Sequence, residues 1–337
     1  MDASVARSIL LFAAVASICS APRVLAADAA ATPSVAVQTV DTLQKLAGGP
    51  HAGFRANHAK GVLAKGSFVA TADAKSLSKA AHLQGAAVPV IVRFSNATGV
   101  PTLPDADPNA SPHGIAIRFQ LPDGVGTDIV SISYDGFPAA TPEDFLGLLN
   151  AIAASGPDAK KPTPVESFLG SHPAAKAFAT APKPAPVSYA TLPFFGVNAF
   201  QFTNTAGASV YGRYRIVPLA GDQRLSDADA AKAAPNYLAD ELVGRLAKGP
   251  VAYAIRAQLA NKGDDVNDAS KAWDNQHREV TLGTLTLNAL LPDGAKAEKS
   301  LFFNPLLLVD GIAPSADPIL LARPGAYAVS VGRRVGK

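Results

Sequence analysis

Seven stretches of this chain either alternate apolar and polar residues or are rich in β-branched ones: residues 89–95 (PVIVRFS), 114–121 (GIAIRFQL), 128–133 (DIVSIS), 197–203 (VNAFQFT), 209–217 (SVYGRYRIV), 251–259 and 279–291 (EVTLGTLTLNALL). Clusters of Gly, Pro and Asp separate them, which is the pattern of strands and turns. Asn204-Thr205-Ala206-Gly207 lies between two of these runs and reads as a hairpin turn. Seven or eight antiparallel strands with few helices predict a closed or nearly closed β-barrel in one domain. At 337 residues and 48% apolar, the chain can fill such a barrel and is not a disordered one.

The clearest helix opens at Thr141, with Pro142 at its first position and Glu143 and Asp144 in its first turn, and runs to Ala154. Residues 40–46 read as a short amphipathic helix, and residues 27–39 as a mobile lead-in. Segments 155–190 and 225–250 read as helical or loop insertions. The fold class expected is therefore α+β, with residues 40–337 as a single domain.

The first 26 residues read as a removable export signal. Arg7 precedes an uncharged run from Ser8 to Ala21, and Val24-Leu25-Ala26 provides the small residue before a cut. Fourteen residues rise about 21 Å as a helix, short of a roughly 30 Å hydrocarbon core, so no stable membrane insertion is expected after cleavage. No twin-arginine pair precedes the run, and Ser17-Ile18-Cys19 is a poor lipobox. The expected location is periplasmic or secreted. Cleavage would also remove Cys19, the one cysteine, so the mature chain would rely on core burial and a bound ligand instead of disulfides.

Composition excludes several function classes. A formal charge of +3 without a dense Lys/Arg block gives no footprint for nucleic acid. Six histidines without C-x-x-C, H-x-H or H-E-x-x-H spacing give no zinc site. No G-x-S-x-G element supports a serine hydrolase.

Three local signals could carry chemistry. His58 stands among basic residues in Arg55-Ala56-Asn57-His58-Ala59-Lys60-Gly61, although a structural role is commoner for a lone histidine. Arg93 places a charge inside an apolar strand, where an edge-facing arginine is the ordinary explanation. Near the C-terminus Arg323 and Arg334 lie four residues before and seven after Tyr327. A helix would put the three on one face, whereas the Pro324-Gly325 pair would also suit a terminal strand with solvated arginines.

In combination these segments resemble the haem catalases, above all the short catalase-related peroxidases. The resemblance runs from about Val40 to the C-terminus. It rests on RANHAKG at 55–61, VIVRFSNATG at 90–99, HGIAIRF at 113–119, FFGVNAFQF at 194–202, DASKAW at 268–273, VTLGTLTL at 280–287 and FNPLLLVDGIAPSADPILLARPGAYAVSVGRR at 303–334.

The resemblance implies a catalase-like antiparallel eight-stranded β-barrel with helical insertions, haem b bound at the barrel, and no C-terminal helical domain. It makes His58 the distal acid/base and Ser95 the serine that fixes the His58 ring. Asn57 replaces a residue that is usually aliphatic in larger catalases. Tyr327 becomes the axial ligand of the haem iron, with Arg323 as the adjacent cation that favours a phenolate. Arg55, Arg93 and Arg334 match the positions that hold the haem propionates. Large catalases carry a distal Asn after the next strand; counting from Asp128, Ser133 stands in its place, which puts peroxide dismutation in doubt.

The function expected is an exported haem peroxidase that reduces hydrogen peroxide, with organic hydroperoxides as further candidates, at the expense of a small organic reductant and with weak or no catalase activity. The alternatives are a true catalase, a hydroperoxide-converting barrel enzyme of the allene oxide synthase type, and a haem-binding or scavenging protein. A homodimer contact through the Ala/Pro-rich insertions stays open.

Overall fold

The strand runs form one antiparallel sheet that closes on itself. A computed structural model describes residues 33–336; the expected signal segment, residues 1–26, lies outside them. The strands are β1 (Gly61–Ala70), β2 (Val88–Ser95), β3 (Gly114–Gln120), β4 (Gly126–Ile132), β5 (Phe194–Phe195), β6 (Phe200–Thr203), β7 (Ser209–Pro218), β8 (Val251–Leu259), β9 (Glu279–Leu290) and β10 (Ile312–Pro314). The pairing β1-β2-β3-β4-β5-β7-β8-β9 returns to β1 and makes an eight-stranded barrel, with β6 and β10 extending the sheet beyond β7. Closure leaves the eight barrel strands no free sheet edge between first and last.

Strand register decides which residues fill the barrel. In β1 and β2 the opposed pairs Val62 and Phe94, Ala64 and Val92, and Gly66 and Val90 turn inward, because opposed residues share a face. Ile115, Ile117 and Phe119 of β3 join them, and Phe68 meets Phe119 edge-on at 5.2 Å between ring centroids. The alternate residues of the same strands, Arg93, Ser95, Gly114 and Ala116, face the other way. They form the wall of the site.

Strand β1 was absent from the sequence-based set. Its small residues hide the alternation: a Cβ on Gly66 would lie 1.9 Å from the Thr286 carbonyl oxygen, where the register with β9 shifts.

Nine α-helices appear among the described residues: α1 (Val35–Leu46), α2 (Ala72–Leu77), α3 (Pro142–Ala153), α4 (Pro164–Ser171), α5 (Pro173–Thr180), α6 (Asp227–Ala230), α7 (Tyr237–Lys248), α8 (Gly294–Ser300) and α9 (Pro318–Val335). Thr141 caps α3 as its sequence predicts, accepting from Asp144 N at 3.1 Å. The lead-in expected at 27–39 is corrected in part: Ser34 caps a helix that begins at Val35, not Val40. The choice left open at the C-terminus resolves to helix, with Asp317 capping α9 through Ile319 N at 2.8 Å. Helices α1, α3 and α9 pack on one another beside the barrel wall formed by β2, β3 and β4.

Candidate active site

Between that wall and the helices lies a mainly apolar cavity of about 410 Å³. His58, Ser95, Arg55, Arg93, Arg323, Tyr327 and Arg334, the seven site residues expected from sequence, all line it, and Asn57 does too.

His58 precedes β1 and holds a left-handed backbone, φ 53°. An L-residue pays for that conformation and keeps it only where its surroundings fix it. Here Arg93 Nη2 donates to the His58 carbonyl at 2.9 Å, and Ala59 N donates to Thr98 O at 3.0 Å. The ring Nδ1 lies 3.1 Å from Ser95 Oγ, which leaves Nε2 for a substrate proton. Burial, then the Arg93 charge, lowers the imidazole to about 4, against which the Asn96 carbonyl pulls upward. At neutral pH His58 is therefore a neutral base. Gly114 lets β3 pass close behind it, since a Cβ there would lie 2.7 Å from Ser95 Oγ and 3.1 Å from His58 Nδ1.

Opposite this pair, α9 presents Tyr327 and Arg323 one turn apart. Arg323 Nε donates to Tyr327 Oη at 2.9 Å and Nη1 donates to Asn198 Oδ1 at 2.8 Å. Asn198 Nδ2 in turn donates to Asp317 Oδ2 at 2.7 Å. The carboxylate that caps α9 thus also anchors the arginine beside Tyr327. Asn198 and Asp317 were not foreseen from sequence.

At one end of the cavity Arg55 and Arg93 meet a carboxylate from α8, Glu298, and Arg334 holds the backbone beside it. Arg93 Nε donates to Glu298 Oε1 at 2.7 Å and Oε2 at 2.9 Å, and Arg55 Nη1 pairs with Oε2. Arg334 Nε donates to Lys299 O at 2.8 Å. Burial, then Arg93, pushes Arg55 down to about 9, still cationic at neutral pH. For Glu298 burial acts upward, and Arg93 and Arg55 outweigh it to hold the carboxyl below its usual range. Glu298 also escaped the sequence reading; an arginine triad with no anion in its motifs was the available signal.

One placement is corrected. Ser133 does not line the cavity, because its Oγ accepts from His113 N at 2.9 Å. In β4 the residues opposed to Gly114 and Ala116 are Ile132 and Val130, so an aliphatic side chain faces the site where the amide was sought.

The site fits haem. Its walls are apolar, Ala322 and Ala326 leave room around Tyr327, and its cationic end already grips one carboxylate. Three guanidinium charges against Glu298 leave two, the number that a pair of propionates would neutralise. Among the described residues no group of three or more His, Cys, Asp or Glu could hold a bare metal ion, and no helix is long and apolar enough to cross a membrane.

Comparison with known proteins agrees with this geometry. The Catalase family model matches residues 36–337. The catalase-related peroxidase of Mycolicibacterium paratuberculosis is 37% identical over 302 residues, covering 89% of this chain and 94% of that one. The catalase-related peroxidase of Synechococcus elongatus is 37% identical over 290 residues, 85% of each chain. Among solved structures, catalase A from Saccharomyces cerevisiae superposes with a TM-score of 0.75 at 22% identity, over 84% of this chain and 61% of that one. A bacterial catalase gives 0.74 at 24%, over 94% and 64%. At that identity the structures speak for the fold, and this chain spans about three fifths of their length. The chain belongs to the catalase family.

Proposed function

We propose that the protein is an exported haem peroxidase, which reduces hydrogen peroxide and takes the electrons from a small organic donor. The observation that carries this reading is the pair of couples on one cavity: His58 with Ser95 on the barrel side, and Tyr327 with Arg323 on α9. A haem carrier would have use for the second couple but none for a neutral buried base held in place by a serine.

Tyr327 would ligate the iron of haem b, and Arg55, Arg93 and Arg334 would hold its propionates. Haem bound there supplies the redox centre that takes oxidising equivalents from peroxide and passes them to the donor. His58 Nε2 accepts the proton of the attacking peroxide oxygen and returns it to the departing oxygen, so that water leaves instead of hydroxide. Ser95 holds the ring while this happens. The apolar walls of the cavity keep bulk water from competing for the proton.

Ile132 and Val130, on the face where an amide would help to hold a second peroxide, favour peroxidase over catalase turnover. The arrangement also leaves organic hydroperoxides as oxidants. Export is supported by the signal-like pattern of residues 1–26. The second reading, true catalase, draws on the family match and on relatives such as the catalase of Pseudomonas syringae, 29% identical over 322 residues.

Steady-state assays of the haem-loaded protein separate the two. The proposal expects donor oxidation to dominate and oxygen release to be slow. Fast oxygen release that phenolic or dye donors do not stimulate would establish the catalase reading instead.

A further inference from the structure

Behind the cavity wall lies a second layer of buried polar residues that the mechanism above does not use. His58, Ser95 and Gly114 line the site. Asn96 and His113 are the chain neighbours of Ser95 and Gly114, Lys60 lies two residues after His58, and these three belong to one network. Asn96 Nδ2 donates to Asp105 Oδ1 at 2.8 Å, and Tyr189 Oη donates to Asn96 Oδ1 at 2.9 Å. His113 Nδ1 lies 3.1 Å from the same Oδ1. Lys60 Nζ pairs with Asp105 Oδ1 at 2.6 Å and also donates to Leu103 O and Pro235 O. Asp105 Oδ2 accepts from Leu238 N at 2.9 Å.

These contacts determine one another. Because Asp105 can only accept, Asn96 must turn its amide nitrogen toward it, and Asn96 Oδ1 then faces Tyr189 and His113. His113 is consequently the donor at Nδ1, and its Nε2 has no partner among the described residues. Burial, then the nearby His58, lowers His113 to about 3, so it stays neutral. Asp105, Asn96 and His113 are each no more than 2% exposed. A fully engaged carboxylate in such surroundings is costly unless every partner is kept in place.

We propose that Asp105 is a positioning residue for His58. It locks together the three chain segments, 58–60, 95–96 and 113–114, whose cavity-facing members are the base, its serine and the glycine behind its ring. The strained backbone of His58 is what such a lock would hold: the Asn96 N to Lys60 O bond, 3.0 Å, and the Ala59 N to Thr98 O bond join the same two segments. Loss of the Asp105 carboxylate releases Lys60 and allows Asn96 to turn, and the His58 to Ser95 contact loosens with them. The inference rests on the acid/base role proposed for His58.

A double-mutant cycle on the haem-loaded full chain tests it, reading the second-order rate of reaction with hydrogen peroxide in single turnover, with haem occupancy from the Soret band as a second readout. Asp105→Asn is expected to lower that rate about tenfold, the scale on which small misplacement of a catalytic group acts. Haem occupancy should stay unchanged, and Asp105→Glu should recover part of the rate. In a His58→Gln background Asp105→Asn should cost nothing more, because its effect passes through the missing ring. Equal losses in both backgrounds, or no loss in either, would overturn the proposal while leaving His58 as the base. If His58→Gln itself costs nothing, the role of His58 falls and this inference falls with it. Should Asp105→Asn not fold, Tyr189→Phe removes only the hydroxyl on Asn96. Its loss should be smaller and should vanish in the same way without His58.

Discussion

Arg323 Nε donates to Tyr327 Oη across 2.9 Å from one turn earlier on α9, and the same guanidinium is held from behind by Asn198. The donor that would stabilise a phenolate is thereby fixed before any ligand arrives. Arg323→Met keeps the length of the side chain and removes the cation. Haem affinity, measured by titrating the apoprotein and following the Soret band, is expected to fall at least about tenfold, the scale of one charge-assisted hydrogen bond of about 1.5–3 kcal/mol. Unchanged affinity would mean that the arginine does not assist Tyr327.

His58→Gln keeps a polar side chain but no base in this pH range. Peroxide turnover is expected to drop at least about a hundredfold, the lower end of what general acid–base catalysis contributes, with haem retained. Because His58 titrates near 4, wild-type turnover should hold from neutral pH down to about 5 and fall as pH passes through about 4. A pH–rate profile checks both limbs of this statement.

Acid should also weaken the fold. Burial, as the largest cause, lowers His58 and His82 to about 4 and His113 to about 3. Unfolded histidine titrates at about 6.5, so between roughly pH 6.5 and 4 the unfolded chain binds protons that the native chain does not. The stability these groups contribute is present above about 6.5 and is lost as pH falls through about 4 for His58 and His82 and about 3 for His113, roughly 3 kcal/mol or more per group. Urea midpoints measured from pH 7 to 4 should decline steadily; a flat series would contradict neutral burial of these histidines.

The barrel was legible in the chain because period-two alternation survives in β2, β3, β7, β8 and β9, whereas β1 carries Ala64 and Gly66 where β-branched residues would have announced it. The seven site residues were legible through family motifs and, for Arg323, Tyr327 and Arg334, through helical spacing. Their partners were not. Glu298 sits in a short lysine-containing segment that looks like a solvated helix face, and only tertiary packing brings it onto Arg55 and Arg93. Ser133 was misplaced for a related reason: counting along β4 gives a position, but the pairing with β3 decides which residue faces the cavity.

Glu298→Gln should show what the arginine triad costs without its anion. Removing one member of a partly buried ion-pair cluster typically destabilises by about 3 kcal/mol or more, so the apoprotein is expected to unfold at clearly lower urea. Haem should recover much of that loss, since its propionates bring two charges to the same groups. Denaturation of the apo and haem-loaded variant, compared with wild type, gives the answer.

Ile132→Asn introduces an amide on the cavity face of β4. If that aliphatic side chain favours peroxidase turnover, the ratio of oxygen release to donor oxidation should rise several-fold in the variant. An unchanged ratio would locate the preference elsewhere in the cavity.

This cavity is expected to take haem through Tyr327, and the absorption spectrum of apoprotein loaded with ferric haem, wild type beside Tyr327→Phe, decides it. Wild type should show a Soret band and a high-spin, phenolate-ligated ferric spectrum, and the variant should lose that signature. Identical spectra for the two proteins would contradict ligation through Tyr327.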